Sequence, residues 1–206
     1  MSLVYYITDR RSSPRPILEE IKTAIEASVD FIQIREKDLP TRELLEIASV
    51  AHSMATGHMT RILINDRLDI ALAADLDGVH LGNHSIAPGI IRNQVTKKDF
   101  LIGVSVHSPE EVRRIQDQGV DFFALGPVFF TPSKAAYGSP IGLERLEAAC
   151  QVSKVPILAL GGVNRENFTA CLKAGAAGVA AIRLFQNSPE SVAEVVREIR
   201  TFHSKN

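Results

Sequence analysis

Gln33, Arg35 and Lys37 alternate along one short segment, an amide, a guanidinium and an ammonium. An extended strand puts alternate residues on one side, so all three share a face if the strand continues to Lys37. Donors of that kind gather an anion. The bland alternative is that Arg35 pairs with Glu36 or Asp38 at the surface. Farther on, Asn65-Asp66 follows an apolar run. A carboxylate there suits Mg2+, which takes one or two carboxylates and leaves its other positions to phosphates and water. Asp66 serves equally well as a cap for a helix after it. Thr131, Ser133 and Lys134 place two hydroxyls and a second ammonium in one loop, which suits a phosphate or diphosphate. Gly161-Gly162 offers bare backbone amides, and Ile182-Arg183 closes a later apolar run. Ser105 and His107 close another. His80 and His84 make a poor zinc site, because they share no helix face and lack a third ligand.

These residues stand at the ends of short apolar runs. The runs are Leu3 to Thr8, Phe31 to Arg35, Ile62 to Asn65, Gly78 to Leu81, Leu101 to Ser105, Phe122 to Leu125, Pro156 to Leu160 and Gly178 to Ile182. Between them lie segments of helical period, with apolar residues three and four apart. They start near Pro16 and run over Thr41 to Met54, Leu68 to Ala74, Pro88 to Val95, Ser108 to Gln118, Leu143 to Gln151, Asn164 to Ala174 and Ser191 to Phe202. Ser108-Pro109-Glu110-Glu111 reads as a cap, a proline at the first helical position and acids in the first turn. Eight strands alternating with helices predict parallel strands with helical crossovers. In 206 residues this fits a small (β/α)8 TIM barrel forming one domain over residues 1–206. The competitor is an open doubly wound sheet, but no dinucleotide fingerprint follows any strand. In a barrel every strand-to-helix loop reaches one face, so the residues above meet at one mouth and the eighth strand pairs with the first.

Composition narrows the partners. Hydrophobic residues make up 45% and charged residues 23%, the balance of a soluble globular protein. A formal net charge of -1 with no basic block argues against nucleic acid. No apolar run approaches the length of a membrane span, and the N-terminus does not read as a secretory signal. The two cysteines, Cys150 and Cys171, have no metal or redox spacing and read as buried thiols of a cytoplasmic protein. Small phosphorylated molecules are the expected partners. The oligomeric state stays open, a homo-oligomer included.

Taken in order, several motifs resemble the thiamine-phosphate synthase family, whose superfamily also contains thiazole tautomerases. They are Tyr6-Ile7-Thr8-Asp9, Gln33-Ile34-Arg35-Glu36-Lys37, Ile64-Asn65-Asp66-Arg67, Gly78-Val79-His80-Leu81-Gly82, Gly103-Val104-Ser105, Gly126-Pro127-Val128-Phe129, Thr131-Pro132-Ser133-Lys134 and Ala159-Leu160-Gly161-Gly162-Val163. The resemblance implies a TIM barrel joining hydroxymethylpyrimidine diphosphate to thiazole phosphate. It implies that Gln33, Arg35, Lys37, Asn65 and Asp66 take diphosphate and Mg2+. Ser105 matches the family's serine after the fifth strand, and Thr131, Ser133 and Lys134 match its hydroxyl-rich lysine loop. Gly161 and Gly162 match the pair that receives thiazole phosphate, with Ile182 and Arg183 at the same end. Arg35, Lys37 and Lys134 would neutralise the leaving diphosphate.

Two departures stand out. Where the synthases carry a second Mg2+ aspartate this chain has Ser85. Where the tautomerases carry a catalytic histidine after the glycine of the sixth strand it has Pro127. A tautomerase-like isomerase, with His84 or His107 as its base, and a non-catalytic thiazole phosphate or thiamine phosphate binding protein are the alternatives.

Overall fold

A computed structural model describes residues 1–131, 139–186 and 191–202. Eight strands alternate with helices in chain order: β1 (Leu3–Ile7), α1 (Ile17–Glu26), β2 (Phe31–Ile34), α2 (Thr41–Ala55), β3 (Arg61–Asn65), α3 (Leu68–Ala73), β4 (Gly78–Leu81), α4 (Pro88–Gln94), β5 (Leu101–Val106), α5 (Pro109–Ile115), β6 (Phe122–Leu125), α6 (Gly142–Val152), β7 (Ile157–Leu160), α7 (Phe168–Lys173), β8 (Gly178–Ala181), α8 (Arg183–Gln186) and α9 (Val192–Phe202). The strands pair in sequence order, all parallel, and β8 pairs with β1 to close the barrel. The register Leu3↔Gly178 through Tyr6↔Ala181 makes that seam. The open-sheet alternative is thereby excluded.

Strand alternation divides the apolar residues between two cores. Residues facing out, such as Val4, Ile32, Ile62, Val79, Ile102 and Phe123, pack under the helices. Residues facing in, Tyr5, Ile7, Leu63, Phe122, Leu158 and Ala180, fill the barrel. The helices present matching stripes. In α9 the buried residues are Val192, Val195, Val196 and Ile199, at i, i+3, i+4 and i+7. Ser108 caps α5 as read from the sequence, its hydroxyl accepting from Glu111 N at 3.2 Å, with Pro109 following. Cys171 is buried and Cys150 half-buried, and both are free thiols.

The end of the barrel opposite the loops carries a recurring brace. Asp30, Asp77 and Asp121 precede β2, β4 and β6. Each accepts the backbone N–H of a residue on the preceding strand, Val4 at 2.8 Å, Ile62 at 2.8 Å and Ile102 at 2.6 Å. Arg200, Arg61 and Arg92 hold the three carboxylates in turn. Strand-start amides are thus satisfied on the face that carries stability in such barrels.

Two of the boundaries that differ from the sequence reading bear on the loops. β2 ends at Ile34, so Arg35 and Lys37 lie beyond it and strand alternation does not place Lys37. α7 starts at Phe168, not Asn164. Asn164 spends its side chain on the amides of Glu166 and Asn167 at 2.9 and 3.0 Å, a local turn that competes with helix.

Candidate functional site

Polar side chains gather inside the barrel on the side of β1 to β5. Tyr5, Gln33, Asn65, His80 and Ser105 come from five consecutive strands and touch in one continuous row. Tyr5 Oη donates to Gln33 Oε1 at 3.1 Å and meets His80 Nδ1 at 3.1 Å. His80 Nε2 meets Ser105 Oγ at 2.8 Å, and Gln33 Nε2 donates to Asn65 Oδ1 at 3.0 Å. Below them Phe31 and Phe122 stack with ring centroids 5.2 Å apart, and Tyr5 sits edge-on to both. Gly103 clears the space: a Cβ there would lie 2.3 Å from Phe122 Cζ and 2.8 Å from His80 Nδ1. Burial pushes the His80 pKa down to about 3, with the charge of Arg35 adding to the effect, so the imidazole is neutral. Burial also raises the Tyr5 phenol well above its ordinary range.

On the β2–β3 side, Glu36 is buried and holds two loops together. Thr8 Oγ donates to it at 2.7 Å, and Arg10 N reaches both its oxygens at 3.2 Å. Thr8 Oγ in turn accepts Arg35 N at 3.0 Å. Asp38 is engaged by Arg10 at 2.6 Å and Arg11 at 2.8 Å. The acids beside Arg35 and Lys37 are therefore taken by other arginines, which removes the surface ion-pair alternative. Among the described residues neither Arg35 nor Lys37 makes an ion pair. Asp66 sits in the left-handed region at φ 63, with its N–H held by His80 O at 2.9 Å. α3 after it has no side-chain cap, so capping is not what Asp66 does. Its carboxylate is exposed, and Lys37, Asn65, Asp66 and Arg67 line a cavity of about 270 Å³.

Around the mouth from β4 to β6, Ser85 Oγ accepts Gly82 N at 2.8 Å while Ser85 N returns to Gly82 O at 3.1 Å, closing a tight turn. His84 beside it is exposed. His107 Nδ1 donates to Gly126 O at 2.5 Å. The loop leaving β6 lies over the β7 loop, with Val128 N on Leu160 O at 2.8 Å and Phe129 N on Gly161 O at 3.0 Å. Gly161 and Gly162 have φ 90 and 67, and a Cβ on Gly162 would meet Phe130 O at 2.6 Å. Only glycine fits that contact and that backbone. Thr131, farther along this loop, is half-buried; Ser133 and Lys134 lie outside the described residues. Ile182 points toward the barrel interior, and Arg183 is exposed at the start of α8. Among the described residues no three His, Cys, Asp or Glu side chains gather to hold a metal, and no helix is long and apolar enough to cross a membrane.

A family model described as thiamine monophosphate synthase matches residues 4–185. The chain belongs to that family. A Geobacter sulfurreducens chain is 43% identical over 188 residues, covering 91% of this chain and 88% of that one. The thiamine-phosphate synthase of Syntrophomonas wolfei is 36% identical over 204 residues, covering 98% and 97%. Among solved structures, the thiamine phosphate pyrophosphorylase from Pyrococcus furiosus superposes with a TM-score of 0.85 at 33% identity, covering 98% and 96%. The sequence reading picked out Gln33, Arg35, Asn65, Asp66 and Ser105 and missed the supporting roles of Tyr5 under Gln33, His80 beside Ser105, and Thr8 with Glu36 behind Arg35. The available signal was a polar residue inside an apolar strand, as with Tyr5 between Leu3 and Ile7.

Proposed function

We propose that this chain is a thiamine-phosphate synthase, a transferase of thiamine biosynthesis. It joins hydroxymethylpyrimidine diphosphate and thiazole phosphate to give thiamine phosphate and diphosphate. The observation that carries the reading is the meeting of Gln33, Arg35, Asn65, Asp66 and Ser105 at one mouth of a barrel matched to the family over residues 4–185. In the reaction the bond from the pyrimidine methylene to the diphosphate oxygen breaks, and the oxygen leaves with the electron pair. The thiazole nitrogen then donates its pair to the methylene carbon. No proton needs to move, so the protein's part is alignment and charge neutralisation.

Arg35 and Lys37, unclaimed by neighbouring acids, bind the diphosphate and neutralise charge as it departs. Lys134, with Thr131 and Ser133, does the same from the β6 loop. Asn65 donates to a phosphate oxygen with Gln33 orienting it from behind, and Ser105 contacts the pyrimidine. The amides at Gly161 and Gly162, with Ile182 and Arg183, receive the thiazole phosphate. The donor set fits Mg2+ with one protein carboxylate: Asp66 is exposed, free of ion pairs among the described residues, and lines a cavity with Lys37 and Asn65. Bound there, Mg2+ would supply positive charge to the diphosphate. Ser85 uses its oxygen to close a turn, which supports reading it as a structural substitute for the second carboxylate.

The test is thiamine phosphate and diphosphate formation by purified protein with both substrates, titrated with Mg2+. Ser85→Asp keeps an acceptor for Gly82 N–H and adds a carboxylate oxygen, so it should lower the Mg2+ needed for half-maximal rate about tenfold, or roughly 1.4 kcal/mol. Lys134→Ala should lower kcat more than it raises KM. No turnover by wild type or Ser85→Asp at saturating Mg2+, with both substrates bound, would refute the reading.

A further inference from the structure

We propose that Tyr5 and His80 are positioning residues that lock together the hydrogen-bond polarity of Asn65 and Ser105, the two ends of the row. Tyr5 has one hydroxyl proton and gives it to Gln33 Oε1. Its contact with His80 Nδ1 at 3.1 Å is a hydrogen bond only if that nitrogen carries the proton. A neutral imidazole protonated at Nδ1 has a bare Nε2, so Ser105 must donate its hydroxyl proton there across 2.8 Å. At the other end, Gln33 turns its NH2 to Asn65 Oδ1. The order is thus fixed along the whole row: Ser105 to His80, His80 to Tyr5, Tyr5 to Gln33, Gln33 to Asn65.

The two ends present opposite chemistry to a ligand. Asn65, whose oxygen is used, shows its NH2, a donor for an anion. Ser105, whose proton is used, shows lone pairs, an acceptor for a ligand N–H. Gln33 and His80 are buried, as is Tyr5, so a partly reversed row would leave an unpaired donor or acceptor out of reach of water. The row therefore runs wholly one way or wholly the other, and reversal requires both amides to flip and the imidazole to change tautomer. A phosphate oxygen at Asn65 selects the observed order. That selection prepares Ser105, two strands away on β5, to accept from an exocyclic amino group on a pyrimidine. A pyrimidine with a carbonyl at that position would meet an acceptor instead. The identity of the two ligands rests on the synthase reading; the ordered row does not.

Two measurements test this. The first is nitrogen NMR of histidine-labelled protein, with and without inorganic pyrophosphate, the His80 signal assigned by its loss in His80→Gln. The expected result is a neutral ring protonated at Nδ1; a ring protonated at Nε2 in the pyrophosphate-bound protein overturns the proposal. The second is calorimetric affinity for the free aminopyrimidine alcohol and its oxo counterpart, with and without pyrophosphate. Pyrophosphate should tighten the amino compound about fivefold or more in wild type and not the oxo compound, a coupling of ordinary size. In Tyr5→Phe, which breaks the row while keeping the ring, the gain should fall to less than about twofold. An undiminished gain in Tyr5→Phe, or no gain in wild type, overturns the coupling. If Tyr5→Phe does not fold, the wild-type tautomer decides. A wild type that makes no thiamine phosphate yet shows the Nδ1 proton refutes the synthase reading alone, and turnover with an Nε2 proton refutes the row alone.

Discussion

Glu36 offers the sharpest test of how the mouth is held. Its carboxylate is 4% exposed and accepts from Thr8 Oγ, which is itself fully buried, and from Arg10 N. Glu36→Ala would strand the Thr8 hydroxyl with no water to replace its partner, at about 2 kcal/mol. Arg10 is half-exposed, so its amide finds water more cheaply and about 1 kcal/mol is reasonable there. The Arg10 guanidinium, 3.9 Å away, already has Asp38 and adds little. The sum is about 3 kcal/mol, which for a chain of this length lowers Tm by about 6 to 12 °C. The same change frees the Thr8 oxygen that holds Arg35 N, so KM for the pyrimidine diphosphate should rise about tenfold. Glu36→Gln keeps one acceptor and should lose about half as much stability. Urea unfolding and initial-rate kinetics read both effects. A loss below about 1 kcal/mol at unchanged m, or the full loss with KM unmoved, would show that Glu36 does not brace the anion-binding segment.

Gly103→Ala should destabilise by about 1 to 3 kcal/mol, because its Cβ would lie 2.3 Å from the rigid Phe122 ring; urea midpoints check it. Asp66→Asn tolerates the left-handed backbone equally well, so stability should stay within about 0.5 kcal/mol while the Mg2+ requirement for turnover rises steeply. His80 sets a limb of the pH–stability curve. Its folded pKa is depressed from 6.5 to about 3, so the unfolded chain takes up the proton first as pH falls. Its contribution is complete above pH 6.5 and is lost as pH drops toward 3, with a slope of at most about 1.4 kcal/mol per pH unit. His80→Gln should flatten that limb in urea midpoints measured against pH.

The strands were legible because each is buried on both faces and reads as an apolar run closed by polar or glycine residues, Ile62 to Asn65 being the plainest. Closure followed from counting eight such units. Helix starts were less legible where Asn competes for the first turn: Asn164 delays α7 to Phe168, and the four-residue α8 has no periodicity to detect. The site was legible at its rim, where charged residues follow strands. Its support was not. Nothing local marks Glu36 as buried among Arg35, Lys37 and Asp38, since its burial depends on Thr8 and Arg10 from another loop. Likewise Tyr5 and His80 become neighbours only through a register that closes around the barrel.

The β1–β8 seam has a consequence for how the chain comes to be folded. The first strand finds one of its two neighbours only when the last strand has been made, so the pairing is among the most distant in sequence that the chain contains. Until then β1 carries an open edge of unpaired amides and carbonyls, and such edges recruit strands from other molecules. Long-range closure of this kind slows folding and prolongs exposure. A nascent or truncated chain that stops after β7 would keep two sticky edges, one on β1 and one on β7. Helix α9, which packs on α1 and β1, then acts as the latch over the join.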